Sequence, residues 1–276
     1  MASSLILSEM WIYPVKSLAG ITIQNGFIEN RGLRWDRRWV IIDEQGKALS
    51  QRQFPKMATI TQILNDHHII LRDHVQHELR VPQIPQTSEV VTVEIWGDKV
   101  EAVLVSKTCD EWLSNALGAP VRLAFMTDTS SRLVDADYAP EDTQVSFSDG
   151  FPYLIAGKAS LDDLNARLPS PVKMQRFRPN FIFEGGLPYE EDHWYEFRIG
   201  RITFLALKPC ARCVMTTVNP NLGEIDSAEP LRTLASYRKV NNRIFFGQNV
   251  LTYQTGIVSV GDKIRVISRR QRQTMS

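Results

Sequence analysis

From end to end, the sequence breaks into short runs of β-branched and aromatic residues, each cut off by Gly, Pro or Asp. "SLILSEMWIYPVKS", "RWVIIDEQG", "ATITQIL", "HIILRD", "VVTVEIWGDKV" and "VEAVLVS" carry the pattern early; "MQRFRPNFIFEG", "WYEFRIGRITFLAL" and "NVLTYQTGIVSVGDKIRVIS" resume it late. Such runs, bounded by turn residues, predict strands curled into small barrels or sheets. Three stretches predict helices. "CDEWLSNALG" sets Trp112, Leu113, Ala116 and Leu117 at helical spacing, "KASLDDLNARL" is expected to start on a Ser160 cap and end at Pro169, and "EPLRTLASYRKV" is the third. The Ser-, Asp- and Thr-rich region from about 121 to 150 lacks periodicity and is expected to connect two β units. The fold class is therefore α+β and predominantly β.

Length and charge narrow the function classes. A chain of 276 residues can bury a large core and predicts two modest domains. A formal charge of +1 gives no bulk attraction to a nucleic acid polymer or an acidic membrane. No run reaches the roughly 18 apolar residues of a membrane span, and the start "MASSLILSEM" has no basic region, so a soluble, cytoplasmic protein is expected. Three cysteines, Cys109, Cys210 and Cys213, are too few for a secreted disulfide framework.

Two of them form a Cys-x-x-Cys pair in "LKPCARCVMTTVNP", which could be a redox switch, half of a metal site, or one working thiolate. A catalytic dithiol sits at a helix start, whereas Pro209 precedes this pair and "VMTTV" follows with strand propensity. A structural zinc site needs about four ligands. His67, His68, His74 and His77 lie on a predicted strand–turn–strand, where neighbours point to opposite faces. An iron–sulfur cluster with four cysteine ligands is excluded within this chain by the count of three thiols. Single-thiolate chemistry remains.

"KPCARCVMTTVNPNLGEIDSAEPLRTLASYR" resembles the C-terminal signature of MOSC-domain molybdenum-cofactor proteins of the YcbX type, relatives of the mitochondrial amidoxime-reducing component. The resemblance continues through "YPVKSLAGI", "GLRWDRRWVIID", "SQRQFPKMATI", "EIWGDKV", "SFSDGFPYLIAGKASLDDLN", "MQRFRPNFIF", "IGRITFLALKPCARC" and "FGQNVLTYQTGIVSVGDKIRV". It implies an N-terminal MOSC β-barrel-like domain (1–120), packed on a C-terminal MOSC β-barrel domain with flanking helices (121–268). A basic tail (269–276) completes the chain. It further implies a molybdenum cofactor, Mo-molybdopterin, held between the two domains.

The resemblance implies Cys213 as metal ligand and catalytic residue, a soft thiolate favoured by the adjacent Arg212, with Cys210 an incidental neighbour. Cofactor contacts implied in the same way fall on Lys16 and Ser17 of "PVKS", Arg37 rather than Arg38 of "DRR", and Asp149, Gly150 and Phe151 of "SFSDGFP". Arg178 and Asn180 of "RFRPN", Ala211 and Arg212 of "ARC", and Gln248 and Asn249 of "FGQN" complete the set. Asn180 is expected to read the pterin edge with its amide, and Asp149 either to lie close to the metal or to serve as a hydrogen-bonding orienter.

The reaction implied is two-electron reduction of N-hydroxylated compounds (hydroxylaminopurines, amidoximes and hydroxylamines) to amines or amidines. The alternative is a cofactor carrier without turnover. YcbX-type relatives add a ferredoxin-like C-terminal domain, and this sequence stops at "VISRRQRQTMS". A separate electron donor, ferredoxin-like or a flavoprotein, is therefore expected, and Arg269, Arg270 and Arg272 are a possible docking tail for it.

Overall fold

The computed structural model describes residues 4–139 and 142–270. Among them, nine strands form the largest sheet, in the order Ile21–Ile23, Ile6–Ile12, Phe181–Glu184, Tyr153–Gly157, Arg243–Leu251, Ile202–Arg212, Trp194–Ile199 and Ile264–Arg269; Lys239–Val240 pairs beside Arg243–Leu251. The sheet membership crosses the expected boundary at residue 120. Ile6–Ile12 pairs antiparallel with Phe181–Glu184, and Gly256–Ser259 pairs back onto Asn25–Glu29. The cause is burial: Leu7, Met10 and Ile12 share one core with Phe181, Phe183, Trp194 and Phe204, so the first strand belongs to the sheet formed by the second half of the chain.

The remaining N-terminal structure is a four-stranded sheet (Trp39–Ile42, Arg122–Phe125, Asp98–Leu104, Val90–Ile95) and a three-stranded one (Thr61–Leu64, His68–Arg72, Glu78–Pro82). Arg122–Phe125 corrects the expectation of a bare connection from 121. Leu123 and Phe125 enter one core and Ala124 another, so both faces are buried and the period-two signal is absent. The histidine-rich stretch folds as the predicted strand, turn and strand.

Helix α1 (Lys107–Leu117) starts on Ser106, whose hydroxyl accepts the Cys109 N–H, and ends at Gly118 with φ +72. Helix α2 (Lys158–Asn165) begins after Gly157 and ends before Pro169. Ser160 is not its cap. Fully buried, its hydroxyl faces the Glu191 carboxylate at 3.0 Å and accepts the Tyr189 N–H at 2.8 Å, a tertiary contact that outweighs local capping. Helix α3 spans Leu231–Tyr237.

The basic end is also different from a free tail. Arg269 closes the last strand and pairs with Glu190 at 2.7 Å, while Arg270 donates to the carbonyl of Ala206. Both charges are folded onto the protein, which removes them from a mobile docking tail; Arg272 lies outside the described residues.

Candidate active site

The two longest strands of the large sheet, Ile202–Arg212 and Arg243–Leu251, pair with register breaks between Ala206 and Lys208 and between Pro209 and Ala211. Proline cannot donate to a ladder, and a bulge re-aims the side chains that follow it. Pro209 sits at the second break, so Cys210, Ala211, Arg212 and Cys213 run along the wall of a cavity of ≈ 280 Å³. Beyond Cys213 the chain departs from the expected strand. Val214–Thr217 is a short 3₁₀ turn, stabilised because the Thr216 and Thr217 hydroxyls bond back to the carbonyls of Cys213 and Val214 at 3.0 and 2.7 Å.

The cavity gathers Lys16, Ser17, Arg37, Asp149, Gly150, Phe151, Arg178, Asn180, Ala211, Arg212, Cys213 and Asn249 around one space, drawn from both halves of the chain. Gln248 is the exception. Strand alternation turns it away from the cavity that its neighbour Asn249 lines, and its amide donates to Asp192 at 2.9 Å. Arg38 also points elsewhere, to Met126 and to Asp128 at 2.8 Å. Of the lining side chains, Lys16, Arg37, Arg176, Arg178, Lys208, Arg212 and Arg243 are basic and Asp149 is acidic, so the cavity is strongly cationic within a nearly neutral protein.

Several of these groups are fixed by the protein itself. Asn180 is 1% exposed. Its Oδ1 accepts the Leu154 N–H at 3.2 Å and the Arg37 guanidinium at 3.3 Å, and its Nδ2 donates to Trp11 O and Asp36 at 3.1 Å. An amide with both ends engaged is a brace between the two halves, not the free reader of a ligand edge that the sequence predicted. Arg212 is corrected too. Its guanidinium donates to the carbonyls of Phe246 and Phe177 at 2.7 to 2.8 Å rather than to the neighbouring thiol. The group beside Cys213 is Arg52, whose Nη2 lies 3.0 Å from Sγ.

Electrostatics follow from this crowding. Arg37 and Arg178 both lie over the Tyr13 ring, with guanidinium carbons 4.4 and 4.1 Å from its centroid. Burial lowers the Arg178 pKa to about 10, with Arg37 adding to the shift and Tyr13 opposing it. Burial acts against the charge of Arg37 as well, but Asp36 at 2.5 Å outweighs it and raises the pKa. The Arg178 Nη2 has no hydrogen-bond partner although it is buried. Burial would raise Asp149, yet the charge and hydrogen bond of Lys16 at 2.6 Å, then Arg37 and the Trp96 indole, hold it well below the usual carboxylate range. Its side chain is 64% exposed because it opens into the cavity. Lys16 is lowered by burial, against the pull of Asp149, and burial likewise raises the Cys210 thiol. Gly150 adopts φ +144, a conformation that side chains disfavour.

The sequence reading missed Arg52 and Trp96. Both lie in stretches that carry the resemblance, "SQRQFPKMATI" and "EIWGDKV", and an arginine and a turn-flanked tryptophan inside such motifs are the available signal.

Residues 4–120 match the MOSC N-terminal beta barrel domain and residues 142–265 match the MOSC domain. Mitochondrial amidoxime-reducing component 1 of Mus musculus is 32% identical over 281 residues, covering 95% of this chain and 82% of that protein. This chain belongs to the MOSC family. Mitochondrial amidoxime reducing component 2 of Homo sapiens is 34% identical over 243 residues, covering 84% of this chain and 72% of that one. A molybdenum cofactor sulfurase of Oryza sativa subsp. japonica is 31% identical over 268 residues, 89% of this chain but 32% of that larger protein. Within this MOSC chain the cavity draws on both matched regions, with Lys16, Ser17 and Arg37 from the first and Asp149 to Asn249 from the second. Among the described residues, no helix is long and apolar enough to cross a membrane.

Proposed function

We propose that this protein is a molybdenum-cofactor-dependent oxidoreductase that reduces N-hydroxylated compounds to amines or amidines with electrons from a separate donor protein. The observation that carries the reading is a cavity-wall thiol, Cys213, with Cys210 beside it, set among seven basic side chains drawn from the two matched regions. The residues present fit the group. A buried Arg178 Nη2 without a partner is a donor awaiting an anion, as the phosphate-bearing pterin provides, and a cysteine sulfur is a soft ligand suited to molybdenum. Lys16, Ser17, Arg178 and the backbone around Gly150 and Ala211 would hold the pterin and its phosphate, with Cys213 on the metal. Phe151 and Asn249 flank that space, while Arg37, Arg212 and Asn180 brace it.

The bound cofactor supplies the two-electron reduction, whose balance is one N–O bond broken, two electrons and two protons consumed, and one water released. The protein's part is placement and charge. The cationic wall attracts and fixes an anionic cofactor, and the braced groups at the base of the cavity, Arg37, Arg212 and Asn180, need not reorganise when substrate enters. Asp149 is held ionised by Lys16, so it serves as an acceptor that orients groups rather than as a proton donor at neutral pH. Three unpaired thiols accord with a reducing compartment, and we place the protein in the cytoplasm.

The sulfurase relative favours a second reading, a carrier that holds the cofactor without turnover. The molybdenum-to-protein ratio and released pterin, measured on protein from a cofactor-competent host, test the shared premise; absence of both overturns the two readings together. Oxidation of a reduced donor on adding an N-hydroxylated substrate then supports the reductase, whereas cofactor transfer to an apo-molybdoenzyme without such oxidation supports the carrier.

A further inference from the structure

Among the arginines near the cavity, Arg52 is held differently from the rest. Arg37, Arg212 and Arg132 each make at least two hydrogen bonds to carboxylates or backbone carbonyls. Arg52 has no carboxylate partner among the described residues; its guanidinium contacts the Cys213 thiol at 3.0 Å and its central carbon lies over the Trp96 ring, 4.5 Å from the centroid. One soft acceptor and one ring face are weak restraints for a cation. It also rises from a turn, residues 50–53, rather than from a strand.

Trp96 is fixed better than its position implies. It occupies the tip of the hairpin joining Val90–Ile95 to Asp98–Leu104, with φ +56 followed by Gly97 at φ +94, the geometry of a two-residue turn. The ring is 55% exposed, yet its indole N–H donates to Asp149 at 3.2 Å, and that carboxylate is gripped by Lys16. A large flat ring therefore stands at the cavity rim, with the Arg52 guanidinium between it and the thiol.

We propose that the slot between Trp96 and Cys213 is the seat of the flat, conjugated N–C–N end of a substrate, and that Arg52 is a displaceable occupant of that seat. This rests on the reductase reading above. A guanidinium and an amidine share a planar N–C–N frame with in-plane N–H donors and a π-face, so a slot that accepts one accepts the other. An amidoxime or a ring-conjugated hydroxylamine can lie on the indole as Arg52 does; an alkylhydroxylamine has no π-face to do so. Displacing Arg52 breaks no carboxylate salt bridge among the described residues, and when the entrant is an amidinium one cation replaces another beside the Cys213 sulfur. Trp96 is thus a specificity-determining residue, and Arg52 a competitor built into the chain.

The test uses metal-loaded wild type, Arg52→Ala, Trp96→Ala and Trp96→Phe, the last keeping a flat ring should the alanine variant fail to fold. Two quantities are measured: calorimetric binding of benzamidine, which needs no turnover, and the KM for benzamidoxime relative to that for an N-alkylhydroxylamine. Stacking and cation–π contacts of this kind set the scale at about ten-fold. Arg52→Ala is expected to tighten benzamidine and lower the KM ratio several-fold, Trp96→Ala to weaken and raise them about ten-fold, and Trp96→Phe to fall between wild type and Trp96→Ala. Weaker or unchanged benzamidine binding in Arg52→Ala overturns the proposal, as does a Trp96→Ala effect that is absent or equal for both substrate types. Protein without molybdenum that binds benzamidine with the same dependence on Arg52 and Trp96 keeps the seat and overturns only the reductase reading.

Discussion

The base and the rim of the cavity use the same residue types to opposite ends. At the base, Arg37, Arg212 and Asn180 spend their polar atoms on backbone carbonyls, Asp36 and one another. At the rim, Arg52 and Trp96 come from a turn and a hairpin tip and make few contacts. A buried polar group left without a partner costs about 1–3 kcal/mol, so the base is fixed by its own satisfaction, while at the rim Arg52, held by one thiol and one ring face, can rearrange cheaply against a Trp96 pinned through Asp149. A rigid cradle and an adjustable entrance are what a tightly held cofactor and a range of substrates would require.

The largest effect that bears on this contrast is expected at Cys213. Cys213→Ser should reduce molybdenum to background by elemental analysis, while Cys210→Ser keeps near-stoichiometric metal; equal loss in both would erase the distinction between ligand and neighbour. Asn180→Ala should come next. It strands the buried Leu154 N–H and Trp11 carbonyl and loosens Asp36, for a loss of about 4 kcal/mol in urea unfolding. A loss below about 1 kcal/mol would mean that the base is no more rigid than the rim.

Glu191 sharpens the comparison through pH. Its carboxyl, fully buried against Gly157 and Ser160, is raised to about 7 from 4.5, first by burial and then by Asp192. The folded state then holds a proton that the unfolded chain releases, so stability falls as pH rises from about 4.5 to about 7, by up to about 3 kcal/mol. Glu191→Gln should flatten that slope in unfolding curves taken across the interval, and an unchanged slope would assign the dependence to another group. The smallest effect is expected at the strand end. Arg269→Ala removes a partly exposed pair with Glu190, for less than about 1 kcal/mol, and should leave the salt dependence of electron transfer as it was.

Much of the fold was legible because the signals were local. Strand runs, the apolar face of α1 and the histidine-rich hairpin follow from side-chain pattern and turn residues within a few positions. Arg122–Phe125 was not, since burial on both faces removes alternation, and Ser160 was misread because a distant Glu191 claimed its hydroxyl. In the candidate site, the motifs located the cavity wall, but they could not say which way each side chain turned. Gln248 and Asn249 are adjacent, and strand geometry sends one to Asp192 and the other to the cavity.

The sequence by itself therefore determined the strand-rich class, the family resemblance and the thiol at Cys213, because these reside in residue type and order. Only the tertiary structure decided that Ile6–Ile12 completes a sheet of the other half, that Arg212 clamps carbonyls, and that Arg52 and Trp96 stand over the thiol. The reason is physical. Hydrogen-bond satisfaction and burial are settled between residues far apart in the chain, and no local pattern records which distant group will supply the partner.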